Sequence, residues 1–332
     1  MTTGAAGAPS ARPSRRRGAL ATVRIVLAVL VLAGVLLALW RNWGAVSSHL
    51  GDVSLRAWAL ALLAGFVSPF LGMLGWRALL TDLGSRLHIA PASGVFLVGQ
   101  LGKYLPGSVW SVFAQSEMAA RLGVPRRRTG VVGLVTMALS LLTGVIIAVP
   151  SLPVLLRRGD SSTAVLVGVA GMLFVIAMWP PLLNRGIGLG LRLLRRDPLE
   201  HDLSGRGIVT GGAWTLLAWL ATGAICWAFT ADLVPDGADA GEVALISLSG
   251  FCLAAVVGMA SVLLPAGVGV REGILLLLLV TVMPGSAATA VVVLTRFVTL
   301  AMDILWAGIG WLWARAHHLL PDRHTVTVRP PD

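Results

Sequence analysis

The chain's only lysine and only tyrosine, Lys103 and Tyr104, are adjacent in an apolar stretch that proline and glycine interrupt. The interruption falls at Pro106 and Gly107, and Trp110 follows in the same stretch. An ionisable side chain in a broken membrane segment is typical of a functional site, because transporters place substrate sites at such breaks. These five residues are therefore predicted to bind a polar group within the membrane.

A second interruption, at residues 264–273, reads Leu-Pro-Ala-Gly-Val-Gly-Val-Arg-Glu-Gly. We include four of its residues in the candidate binding site: Gly267, Gly269, Arg271 and Glu272. It lies roughly half a chain length after the first interruption, which is the placement that an inverted repeat would produce. The alternative is an ordinary loop that ends a helix at the membrane surface, with both charges in water.

Three further charges in apolar runs are candidates for ion pairing or binding. Arg296 and Asp303 are separated by two helical turns, so they share one face of the last run, and this face is expected to point inward. It would pair ions or bind a headgroup; the alternative is a structural pair that orients the helix. Glu117 is expected either to pair with Lys103 or Arg271, or to lie in water where the first broken segment ends.

The amino-acid composition indicates the broad class of protein. Hydrophobic residues make up 56% of the chain and charged residues 12%, and the mean hydropathy is +0.85. A soluble domain carries about twice that charged fraction, so the sequence predicts a polytopic membrane protein. The net charge of +11 comes from arginines at the ends of apolar runs, which is typical of topology control and contact with anionic lipid rather than nucleic-acid binding.

The predicted fold is all-α, since apolar runs of about the length that spans a bilayer recur along the whole chain. Nine such runs fall at about 20–40, 58–80, 92–118, 130–156, 163–183, 208–231, 243–264, 266–283 and 286–314.

The charges between the runs predict how they cross the membrane. The basic links 119–129 and 184–207 are expected in the cytoplasm, and the acidic link 232–242 outside. This arrangement holds if segment 92–118 enters and leaves on the cytoplasmic side as a re-entrant hairpin. We therefore expect about eight transmembrane helices plus one re-entrant broken helix, or two if 243–283 forms a second hairpin. Both termini are expected in the cytoplasm, with the protein in the cell membrane.

The predicted domain organisation is simple. Residues 1–18 are expected to be a disordered basic cytoplasmic tail, 19–316 a single transmembrane domain, and 317–332 a cytoplasmic C-terminal tail. No nucleophile elbow, phosphate-binding loop or metal-ligand spacing occurs in the sequence. We therefore expect no enzyme activity, no catalytic residues, no metal and no cofactor.

The two broken segments carry a family resemblance. Gly102-Lys103-Tyr104-Leu105-Pro106-Gly107-Ser108 and the string from Pro265 to Gly273 resemble the transmembrane domain of lysylphosphatidylglycerol synthases. That domain also occurs alone in flippase-like membrane proteins, and the resemblance covers about 20–316. Ala266 stands where a glycine is frequent in the family. This sequence lacks the soluble domain that performs aminoacyl transfer, so the resemblance implies the flippase-like part alone.

The resemblance implies a translocator of phospholipid or lipid-linked substrate. Lys103 and Arg271 would bind an anionic headgroup, while Glu117, Glu272 and Asp303 would hold these cations in the absence of substrate. The expected partners are membrane lipids and, in addition, an enzyme that is either membrane-bound or soluble; nucleic acid is not expected. Two other functions stay open: a small-solute secondary transporter, and a non-transporting membrane subunit of a lipid- or glycan-modifying system.

Overall fold

The computed structural model describes residues 43–104, 109–151, 178–193, 195–260 and 269–316, with a few single positions besides. All regular structure in these ranges is helical. The α-helices are α1 Trp43–Leu50, α2 Leu55–Asp82, α3 Ile89–Gly99, α4 Val109–Ala120, α5 Arg126–Ala148, α6 Pro180–Leu193, α7 Gly205–Leu233, α8 Ala240–Ala260, α9 Val270–Leu279 and α10 Gly285–Ala316. Two short 3-10 turns, Gln100–Tyr104 and Val149–Ser151, follow α3 and α5.

Five of the described helices are long and apolar enough to cross a membrane, which confirms a multi-pass helical membrane protein. These are Leu55–Asp82, Arg126–Ser151, Gly205–Leu233, Ala240–Met259 and Gly285–Trp313. The count of eight spans stays a prediction, because most of the expected spans at 20–40 and 163–183 lies outside the described residues, as do both tails. The described part of 266–283 forms α9, whose 10 residues reach about 15 Å, half of a bilayer core.

Helices α2 and α7 are antiparallel. At each end they are joined by hydrogen bonds between a serine and an aspartate. At one end Asp82 accepts hydrogen bonds from the backbone N–H and the hydroxyl of Ser204, both at 2.7 Å. At the other end the backbone N–H of Ser54 donates to Asp232 at 2.7 Å. Ser54 and Ser204 are also the N-cap residues of α2 and α7, so these contacts fix where both helices begin.

The charged links separate to the two ends of the bundle. Arg127 and Arg128 at the start of α5 bind Glu200, so links 119–129 and 184–207 lie together; we call this the basic end. Link 232–242 lies at the opposite, acidic end. The charge pattern predicted this separation because it required the two basic links to share a face.

Helices α3 and α4 form an antiparallel hairpin. A Cβ atom placed on Gly99 would lie 2.4 Å from Cγ of Gln115, and one on Gly102 would lie 2.3 Å from the backbone nitrogen of Ser111. Residue numbers thus rise along α3 as they fall along α4. The hairpin begins and ends at the basic end, where its last turn binds the start of α5 through Glu117.

In the described ranges the core consists of two apolar clusters along the bundle axis. The cluster toward the acidic end contains Phe229 and Phe251, and the cluster toward the basic end contains Trp76 and Phe96. Along α10, Met302 packs on the first cluster and Trp306 on the second. The change from one cluster to the other therefore falls beside Asp303.

Candidate functional site

The first broken segment reaches the middle of α10 through an ion pair. Lys103, at the end of the 3-10 turn that follows α3, places its Nζ 2.7 Å from Oδ2 of Asp303. The Asp303 side chain is 15% exposed and the Lys103 side chain 40%. The carboxylate is thus buried more deeply than the ammonium, which stays accessible to a second anion.

The packing of α3 on α10 explains why these two residues meet. A Cβ atom on Gly94 would lie 2.3 Å from the Trp313 ring, and one on Gly310 would lie 3.0 Å from Val98. In each of these pairs the two residue numbers add to nearly the same value, as they do for Lys103 and Asp303. The helices are therefore antiparallel at close range, and the ion pair continues their register beyond the end of α3.

The second broken segment ends at the N-terminus of α9, where Gly269 is the N-cap. Gly269 has a φ of +90°, which glycine adopts at little cost because it has no Cβ. Its N–H donates to Oε2 of Glu272 at 2.7 Å. The other oxygen, Oε1, lies 3.4 Å from Nε of Arg296 on α10. Glu272 therefore both caps the N-terminus of α9 and contacts α10 through Arg296.

Arg296 is the most deeply buried charge of the two ion pairs, with its side chain 11% exposed. Within the part of the chain that the structure describes, Nε and Nη2 are buried and make no hydrogen bond, although Nε is in ion-pair range of Glu272. Buried polar groups in proteins are almost always hydrogen-bonded. The guanidinium therefore has capacity to bind an anion.

Arg271, near the start of α9, contacts an aromatic ring on α8. Its guanidinium lies 4.6 Å above the centre of the Phe251 ring, a cation–π contact that is favourable where water is excluded. The pairing of Glu272 with Arg271 or Lys103 stays a prediction, while the structure places the Glu272 carboxylate in ion-pair range of Arg296.

The two ion pairs lie on one face of α10, as predicted from spacing alone. Arg296 and Asp303 are about 10 Å apart along the helix axis, on either side of Thr299, which is halfway along Gly285–Trp313. Each residue pairs with a different broken segment. The middle of α10 is thus the place where both breaks meet, each through one cation and one carboxylate.

Among the other predicted residues, Glu117 lies apart from this centre, whereas Trp110 lies beside Gly102 at the start of α4. Glu117 accepts two hydrogen bonds from Arg126, at 2.8 and 2.9 Å, so the surface alternative applies to it. The hydrogen bond from Arg126 lowers the pKa of the Glu117 carboxyl below its ordinary value. Trp110 packs edge-on against Phe113, with ring centres 6.4 Å apart. Four predicted positions lie outside the described residues: the side chain of Tyr104, and Pro106, Gly107 and Gly267.

The fold and the site define a polytopic α-helical membrane protein with charged groups at broken helices. Residues 25–307 match the family model of the lysylphosphatidylglycerol synthase TM region. This match covers most of the chain, so the protein belongs to that family, and the resemblance seen in the two broken segments is confirmed. A search among curated proteins finds no significant match.

Proposed function

We propose that the protein moves a phospholipid or lipid-linked molecule with an anionic headgroup across the cell membrane. The observation that carries this proposal is the pair of ion contacts at the middle of α10, Lys103 with Asp303 and Arg296 with Glu272. The family match supports the proposal, since the same domain occurs in lysylphosphatidylglycerol synthases. The protein acts as a translocator and not as an enzyme.

Energetics favour a functional role for these charges. Removing a charge from water costs several kcal/mol per ion, and a buried pair recovers this only with good geometry. The contact between Arg296 and Glu272, at 3.4 Å and without a hydrogen bond from Nε, has poor geometry. Charges at depth in a membrane protein mark substrate pathways. A headgroup phosphate can accept charge-assisted hydrogen bonds from both cations.

The two half-helices add to the positive potential. Helix α4 begins beside Gly102, and α9 begins beside Arg296, so both N-termini lie near the middle of the bundle. Helix N-termini carry a partial positive charge that favours anions. In our proposal the α3–α4 hairpin is re-entrant from the cytoplasmic side, because the basic end faces the cytoplasm by the positive-inside rule.

The translocation path follows from this arrangement. A headgroup that enters from the basic end meets Lys103 first, since this side chain is the more exposed cation of the two. It then passes toward Arg296, about 10 Å further along α10, while the acyl chains stay in lipid. Asp303 and Glu272 hold the cations again once the headgroup has left.

A leaflet-quench assay in proteoliposomes tests the proposal. Fluorescent lipids with phosphatidylglycerol, phosphatidylcholine and polyprenyl-phosphate headgroups are compared for wild type, Lys103→Gln and Arg296→Gln. The matched control is Arg315→Gln, which removes a cation that stacks on Trp311 near the end of α10. We expect headgroup-selective movement by wild type and the control, with at least a tenfold loss in both site variants, as the removal of about 1.4 kcal/mol would give.

Equal rates in all four proteins, each folded, would contradict the proposal. Movement of no lipid by wild type, with or without an ion gradient, would also contradict it and would favour a solute transporter or a membrane subunit of an enzyme system.

A further inference from the structure

Helix α6 packs against the basic end of the bundle through one face. Leu183, Ile187 and Leu191 on this face are in or against the apolar cluster of the basic end. Asn184 hydrogen-bonds to the link that follows the helix. Its Nδ2 donates to the carbonyl of Leu203 at 2.9 Å, and its Oδ1 accepts a hydrogen bond from the Leu203 N–H at 3.0 Å. These contacts hold α6 at the basic end.

A second face of α6 is apolar and unoccupied in the described part of the chain. Leu182, Leu189 and Leu193 fall along one side of the helix, and their exposures rise from 43% to 68% and 84%. Trp179, just before the helix, is 65% exposed. Exposed leucines beside a tryptophan at the end of a membrane bundle are typical of a helix in the lipid interface.

Arginines occupy the third face, beside the leucines. Arg185 and Arg192 are two turns apart, and with Gly188 and Asp202 they line an open cavity of about 660 Å³. Counted at 100° per residue, the arginine direction lies about 70° from the leucine direction. A ligand in the cavity can therefore touch both faces, with its anionic part at the arginines and its apolar part along the leucines.

The acids of the neighbouring link do not neutralise these arginines. Asp197 and Glu200 form ion pairs with Arg127 of helix α5, and Glu200 also binds Arg128. Within the described ranges neither of the two cavity arginines is within 4 Å of a carboxylate oxygen. Asp202 lines the same cavity but forms no such ion pair there. The cavity thus has a net charge of one positive unit.

We propose that this cavity binds the headgroup of an anionic phospholipid from the leaflet at the basic end, with the acyl chains along the leucine face. The charge of the cavity suits a phosphodiester, and the leucine face suits a ligand that is itself part of the membrane. This binding does not depend on lipid translocation by the site at the middle of α10. Its failure and the failure of the proposed function are therefore distinguishable.

Lipid retention tests the proposal on the full chain in detergent. Phosphatidylglycerol and phosphatidylcholine are titrated into the delipidated protein, and bound lipid is counted by native mass spectrometry. The test variant is Arg185→Gln with Arg192→Gln. The matched control is Arg195→Gln with Arg196→Gln, which removes the same charge from the same link but changes no residue of the cavity lining. Unfolding midpoints of both variants verify that they fold.

We expect wild type and the control to retain phosphatidylglycerol in preference to phosphatidylcholine. The test variant should bind phosphatidylglycerol at least about tenfold more weakly, since it loses both arginines that attract the anionic headgroup. Leu182→Gln with Leu189→Gln should weaken retention as well. Equal retention by all variants, an equal loss in the control, or displacement by inorganic phosphate beyond that caused by sodium chloride would overturn the proposal.

Discussion

At the scale of single residues, Arg296 and Glu272 show a charge pair whose geometry serves stability poorly. The guanidinium is buried, yet its contact with the carboxylate is 3.4 Å long and lacks a hydrogen bond from Nε. Glu272 uses its other oxygen for the N–H of Gly269. The carboxylate is therefore shared between helix capping and charge compensation, which leaves the guanidinium incompletely satisfied.

Stability and function can be separated at this ion pair by two variants. Glu272→Ala should lower the free energy of unfolding by about 3 kcal/mol, because it leaves a buried cation without its carboxylate. Glu272→Gln with Arg296→Met keeps the cap of Gly269 and removes the charge, so it should unfold close to wild type. It should nevertheless lose lipid movement.

Denaturant unfolding in detergent measures the free energy of unfolding of both variants, and the leaflet-quench assay measures lipid movement by the double variant. If the double variant is as unstable as Glu272→Ala, the pair has a structural role and the functional interpretation is wrong.

Gly102 also has a defined role at this scale. A Cβ at this position would lie 2.3 Å from the backbone nitrogen of Ser111, and backbone atoms cannot rotate away as a side chain can. Gly102→Ala should therefore open the hairpin and destabilise the protein by about 1–3 kcal/mol, the usual cost of overpacking.

The control for this change is Gly308→Ala, at an open position in α10 where no atom lies within 4 Å of the added carbon. It should stabilise the helix by up to about 1 kcal/mol. Equal unfolding midpoints for the two variants would argue against a close contact between the hairpin arms.

At the scale of elements, the α3–α4 hairpin is tied to α5 by Glu117 and Arg126. The hydrogen bond from Arg126 lowers the pKa of Glu117 below 4.5. The pair therefore contributes its full stability above pH 4.5 and loses it as the pH falls through the lowered pKa. Glu117→Gln should lower the unfolding midpoint more at pH 7 than at pH 3, because pH 3 lies below the ordinary pKa of 4.5 and part of the contribution of the pair is lost there. The same difference from wild type at both pH values would count against this assignment.

Two elements differ from what the apolar runs indicate. The run 266–283 continues without a charged residue after Glu272, yet α9 ends at Leu279 after half a span. Helix α6 was missed because its residues were divided between the run 163–183 and the link 184–207. The signal that marks it is Pro180-Pro181, since proline favours the first turn of a helix, followed by leucines and arginines at helical spacing.

At the scale of the whole molecule, the grouping of links could be predicted and the pairing of charges could not. Basic and acidic links sort to opposite ends because charge bias determines which ends of the spans lie together. The common face of Arg296 and Asp303 follows from helical periodicity. Their partners depend on the register between helices, which is determined by close contacts such as Gly94 with Trp313. No local pattern encodes that register. The inverted repeat stays a prediction.

The most direct test of the central claim uses the fact that Lys103 is the only lysine in the chain. A neutral, membrane-permeant acylating reagent modifies the protein in vesicles of phosphatidylcholine or of phosphatidylglycerol, and mass spectrometry follows Lys103. Arg315→Lys adds a second lysine near the end of α10 as an internal reference. If anionic headgroups reach Lys103, its modification relative to the reference should slow severalfold in phosphatidylglycerol. An equal relative rate in both lipids would contradict the claim that headgroups pass this residue.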